Sequence, residues 1–194
     1  VSKMSLKPLE GSALRAVIES AHIKDSGTTG SAPAVYPAPS PASGSDSEST
    51  SQHYFGLGSR YFLERRLPQA IVQYQKALEL EKKERKLPRD EWRVLVDNLG
   101  MSYGMTGDLK HADEVFQYGI SQDPTYPNFY YSMACVYGER NDLENAMKYL
   151  KTAFRYKENL IAGETMPDPR RDSSFRYFMK NPRFLKLVDS LTNP

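Results

Sequence analysis

YYSMACVYGERNDLENAMKYLKTAF, residues 130 to 154, contains two runs of helical apolar spacing on either side of Asn141-Asp142. Asn-Asp suits a turn followed by a helix cap. Upstream, VDNLGMSYGMTGDLKHADEVFQYGI (96 to 120) and YFGLGSRYFLERRLPQAIVQYQKAL (54 to 78) bring back the same aromatic, aliphatic and small residues in the same order. Equivalent alanines fall at Ala70, Ala112 and Ala146, separated by 42 and 34 residues. Three hits in one phase identify an internal repeat, the pattern to be sought before any single element is assigned.

Breakers stand where such units must turn. Pro68 suits the first turn of a helix, Gly107-Asp108 supplies a turn and a cap, and Pro124 and Pro127 separate the second unit from the third. Small residues at Gly58, Gly100 and Ala134 let paired helices approach closely. The first interval holds eight extra residues, read as a lengthened helix, ALELEKKERK, that ends before Leu87-Pro88, with the next helix opening at Arg89-Asp90.

The pattern resembles the tetratricopeptide repeat, a 34-residue unit of two antiparallel helices. Its signature appears as Tyr54, Leu57, Gly58, Tyr61, Ala70, Tyr74 and Ala77 in the first unit. It returns as Val96, Leu99, Gly100, Tyr103, Ala112, Phe116, Gly119 and Pro124, then as Tyr130, Met133, Ala134, Tyr137, Ala146, Leu150 and Ala153. The resemblance implies an all-α fold: a short right-handed superhelix of three such helix pairs with a C-terminal helical cap. It also implies a concave partner groove lined by the first helix of each pair.

On that resemblance the groove carries Gln52, Phe55, Ser59, Phe62 and Leu63 from the first pair. The second gives Val94, Asp97, Met101, Gly104 and Met105, and the third Asn128, Tyr131, Cys135, Gly138 and Glu139. The face is expected to be an exposed apolar surface, suited to an amphipathic helix or an extended apolar peptide. Some members grip a chaperone's C-terminal carboxylate with Lys, Asn and Arg. The matching places here are Phe55, Ser59, Asn98, Asn128 and Ser132, of which Asn98 alone agrees, so that ligand is not expected.

Outward from the repeats, residues 25–51 contain 22 Ser, Pro, Gly, Ala or Thr among 27 and read as a disordered linker. Within it Ser43 and Ser45 each precede an acidic residue by three places, a spacing that acidophilic kinases accept. Before it, residues 1–24 hold Leu14, Val17, Ile18 and Ala21 at helical spacing, one short amphipathic helix over 10–22. The repeats occupy 52–158, as units 52–86, 89–124 and 127–158. Residues 159–194 are an irregular bridge followed by two short Phe-rich helices, read as the cap that a repeat stack needs over its last apolar face.

Composition narrows the function classes. With 194 residues, one core is expected. A formal charge of +2 provides no field for nucleic acid, and the ten Lys or Arg between Lys148 and Lys186 read first as a solvated helix face. No run approaches the roughly 20 apolar residues of a membrane span. The start at Val1 is compatible with a fragment, so the compartment is not assigned. His22, His53 and His111 lie apart, without metal-ligand spacing, and read as surface residues. There is no phosphate loop or nucleophile elbow, and Cys135 reads as a small apolar residue, so neither enzyme chemistry nor a cofactor is expected.

The reading is therefore a non-catalytic scaffold for another protein or peptide. The alternatives are a recruiting module of a larger enzyme, a groove filled by residues 10–22 or by a second copy in a homodimer, and RNA binding through the basic C-terminal third.

Overall fold

A computed structural model describes residues 50–192 of the chain. The expected 10–22 helix, nearly all of the linker and His22 lie outside the described residues. Three helix pairs follow one another: α1 (Ser51–Leu63) with α2 (Leu67–Lys83), α3 (Arg89–Met105) with α4 (Leu109–Gln122), and α5 (Pro127–Glu139) with α6 (Leu143–Arg155). Short 3-10 segments at Pro169–Arg171 and Ser173–Phe178 lead into α7 (Pro182–Thr192). The architecture is the expected all-helical repeat stack, and no described helix is long and apolar enough to cross a membrane.

One turn is used three times. Arg65, Gly107 and Asn141 each take the left-handed backbone region after the first helix of a pair. The amides three residues past each helix, on Arg66, Asp108 and Asp142, donate to Tyr61, Tyr103 and Tyr137 carbonyls at 2.9 Å, which satisfies carbonyls that a helix end leaves free. Asp108 and Asp142 then accept from the His111 and Asn145 amides and cap the second helix, whereas Arg66 gives its helix no side-chain cap. α1 begins one residue earlier than expected, because the Thr50 hydroxyl accepts from the His53 amide and caps it.

The small residues sit where the pairs close. A Cβ on Gly58 would lie 2.5 Å from the Tyr74 ring, and one on Gly100 would overlap Phe116 in the same way. Ala70, Ala112 and Ala146 are fully buried.

The eight extra residues are distributed differently from the single lengthened helix expected. Compared with the later pairs, α2 runs three residues further past its alanine than α4 does, the connection to α3 is one residue longer, and α3 starts four residues before the repeat phase begins. Two buried devices support this. The Glu81 carboxylate accepts from the Lys86 and Leu87 amides and folds the connection back onto α2. The added turn of α3 buries Trp92 between Arg85, whose guanidinium lies 4.2 Å from the ring centroid, and the edges of Tyr118 and Phe129.

The chain ends as a cap. Phe175, Phe178, Phe184 and Val188 form one cluster with Ala146, Met147, Leu150 and Ala153 of α6. The first capping segment, Ser173–Phe178, is a 3-10 helix.

Candidate functional site: the concave face

The structure corrects the expectation of a bare apolar groove. Of the candidate residues, Phe55, Ser59, Phe62, Val94, Asp97, Asn98, Asn128 and Tyr131 are buried, and Met101, Met105, Cys135 and Glu139 are half-buried. Leu63, at 37% exposure, and Gln52, whose amide donates to Glu91 Oε2 at 2.8 Å, are the exposed members of the face.

In the first pair the cause is Tyr74. Phe55 and Phe62 pack around its ring, with centroids 6.3 and 6.4 Å away. Its hydroxyl donates to Ser59 Oγ at 3.3 Å and accepts from Asn98 Nδ2 at 3.1 Å. Burial raises the Tyr74 phenol far above its ordinary value, so it stays neutral. Asn98 is 0% exposed and commits its amide nitrogen to Tyr74, which leaves it no part in gripping a carboxylate from outside.

In the third pair the cause is the bridge. Glu164 accepts from Tyr126 Oη at 2.9 Å and from Asn128 Nδ2 at 3.1 Å, while its own carboxylate also holds the Ile161 amide at 3.1 Å. Eight residues on, Asp172 Oδ2 accepts from Tyr131 Oη at 3.2 Å and Cys135 Sγ at 3.6 Å. Glu139 takes both terminal nitrogens of Arg176, at 2.7 and 2.8 Å. Gly138 admits the chain closely, since a Cβ there would lie 2.5 Å from the Ser174 carbonyl oxygen. Each groove residue of this pair thus touches the chain's own C-terminal segment. Sequence reasoning missed Tyr126, Glu164 and Asp172, because the bridge has no periodicity to mark its inward side.

Between the second and third pairs, Asp97 accepts from Ser132 Oγ at 2.9 Å. Burial pushes the Asp97 carboxyl up to about 7; the Ser132 bond opposes this and the charge of Glu164 adds to it. Glu164 is raised as well, chiefly by burial. The folded chain therefore holds an extra proton at Asp97 between the unfolded value of 3.8 and about 7. Stability is contributed in full below that window and falls as pH rises through it. Asp97→Asn, which retains the oxygen that Ser132 needs, is expected to remove this fall, a change on the order of a few kcal/mol between pH ~4 and ~7. Urea unfolding of both proteins across that range checks it, and parallel curves would contradict it.

Toward the C-terminal ends of the first helices the face stays partly accessible, with Leu63 exposed and Met101, Gly104, Met105 and Glu139 half-buried. His53 and His111 lie toward solvent, His111 bound to Asp108 at 2.6 Å and stacked on Tyr103. Of the basic residues, Arg170, Arg176 and Arg183 are ion-paired to Asp168 and Asp189, Glu139 and Glu144, whereas Lys148, Lys151 and Arg155 line an open cleft beside Arg183.

The family described as tetratricopeptide repeat matches residues 127–160, the span of the third helix pair. Among solved structures, one titled "Crystal structure of MamA" is similar, with 25% identity and a TM-score of 0.50 over 57% of this chain. The match spans 60% of that protein's length. No curated protein matches.

Proposed function

Because the chain is a tetratricopeptide-repeat protein, we propose that it is a non-catalytic scaffold that holds a partner peptide or amphipathic helix on its concave face. Such repeats serve in general as protein-interaction surfaces. The observation that carries the finer reading is the strip of Leu63, Met101 and Met105. These residues stand near the ends of α1 and α3 and remain at least partly open, while Phe55, Ser59, Phe62, Val94, Asp97, Asn98, Asn128 and Tyr131 are buried. Met adapts its shape to irregular apolar ligands, and an apolar strip at the mouth of a groove gains free energy when covered.

The test is capture of binding proteins by the full chain and by the Met101→Glu, Met105→Glu double variant, each with its helicity measured. Partners held by the first should be lost by the second, with helicity unchanged, because burying an unpaired carboxylate at an apolar contact is costly. A shift from dimer to monomer in the variant would identify a second copy as the occupant. Identical capture, or an unfolded variant, would remove Met101 and Met105 from the binding face.

A further inference from the structure

We propose that the concave face of the third helix pair is a receptor for an irregular, proline-containing segment bearing two carboxylates, and that residues 160–172 of this chain occupy it as a strap which a partner segment of the same chemistry displaces. The inference rests on the concave-face reading and specifies its ligand. The observation behind it is the donor set. Tyr126 Oη, Asn128 Nδ2, Tyr131 Oη and Cys135 Sγ all point at carboxylate oxygens of the strap, the first two at Glu164 and the others at Asp172.

All four donors are neutral. Neither Glu164 nor Asp172 has an ion-pair partner among the described residues, although Glu164 is buried. A buried carboxylate held by hydrogen bonds alone gains less than one matched to a cation, so the strap is bound selectively but not tightly.

Its backbone is irregular: the Glu164 amide closes a turn on the Ile161 carbonyl, Asp168 and Asp172 are extended on either side of the 3-10 turn Pro169–Arg171, and Pro167 and Pro169 hold the residues before them out of the helical region. The strap contributes little to the core: Pro169 is buried, whereas Ile161 and Met166 are half-buried. The phenylalanines that seal the stack, Phe175, Phe178 and Phe184, lie beyond it. Arg170 ties the strap to Asp189 and Thr192 of α7, so lifting breaks those exposed bonds while Phe175, Phe178 and Phe184 stay seated, in keeping with local opening of segments that have few apolar contacts.

Cys135, the one cysteine of the chain, lies beneath Asp172 and reports on lifting. In the full chain, the rate at which a soluble thiol reagent modifies Cys135 at one fixed pH should rise at least about tenfold in the Glu164→Ala, Asp172→Ala double variant, which removes the charge-assisted bonds. A synthetic peptide of residues 159–172, added in trans, should slow that modification again. The same peptide carrying Glu164→Gln and Asp172→Asn should not.

An unchanged rate in the variant would overturn the strap. A faster rate that the native peptide cannot slow would overturn the receptor. Because Asp172 also caps the segment Ser173–Phe178, a double variant that loses helicity is replaced by Glu164→Ala, read by the same two criteria. The outcome is separable from that of the Met101 and Met105 test. If that variant keeps every partner while the peptide still protects Cys135, the apolar-strip reading fails and the third-pair receptor stands.

Discussion

Phe184→Ala is expected to lower the unfolding free energy by about 3–5 kcal/mol, the cost of emptying a fully buried aromatic site that cannot collapse. Phe184 is 0% exposed and sits 5.5 Å, centroid to centroid, from both Phe175 and Phe178. Those rings close over Ala146, Leu150 and Ala153, the face of α6 that a fourth repeat would otherwise cover. In a stack where each unit is supported by its neighbours, loss of the terminal cover weakens the last pair first. Urea denaturation should show the full loss, and hydrogen exchange should place the earliest opening in α5 and α6. Lys186→Ala, at an exposed position of α7, should stay within about 0.5 kcal/mol of the native protein. A loss below about 1 kcal/mol for Phe184→Ala would mean that the cap does not seal the stack.

The second large effect is expected at Asp123. Its carboxylate holds Arg93 at 2.8 Å and Arg89 at 3.0 Å, and the Arg93 side chain is almost fully buried, with its guanidinium 4.6 Å from the Tyr126 ring centroid. Asp123→Ala leaves Arg93 with only Asp90, at 3.4 Å, and should cost about 3 kcal/mol or more, because a buried charge that has lost its partner keeps its desolvation penalty. Joint replacement by Arg93→Met and Asp123→Leu should recover most of that loss. Failure to recover would show that the pair itself, and not the stranded cation, accounts for the stability.

Acid titration checks the same site. Burial alone would raise the Asp123 carboxyl, but the hydrogen bonds and charges of Arg89 and Arg93 outweigh it and hold the group at about 2. A depressed folded value means that this stability is present above the unfolded value of 3.8 and is lost as pH falls toward 2. Asp123→Asn should lack that acid loss. The window lies below the one assigned to Asp97, where stability falls with rising pH, so the two sites can be read separately from one set of curves.

Repeat phase was legible in the chain because each unit solves the same local problem with the same residue types. Gly58 and Gly100 stand where an aromatic ring of the paired helix leaves no room for a Cβ, and in both pairs that ring, Tyr74 or Phe116, lies 16 residues further along the chain. Asp108 and Asp142 cap helices through amides three residues away, an interaction contained within one turn of chain. The Phe-rich tail was legible as a cap for a similar reason: its apolar spacing needed a cover, and the last repeat needed one too.

The inserted segment was legible only in length. How its eight residues divide between α2, the connection and α3 depends on Trp92 finding Tyr118 and Phe129, and on Asp123 finding Arg89 and Arg93, pairs separated by tens of residues. The candidate groove shows the same division. Repeat phase placed Asn128, Tyr131, Cys135 and Glu139 on one face, and the structure keeps them there. Tertiary packing decided that the face is occupied, through hydrogen bonds spanning 36 residues from Asn128 to Glu164 and 41 from Tyr131 to Asp172. Helical phase is written in near neighbours, so the sequence alone determined the three pairs, their turns and the position of their cap. What covers the concave face is set by an aperiodic segment meeting a distant helix, a match of shape and hydrogen-bonding groups that exists only once the chain has folded back on itself.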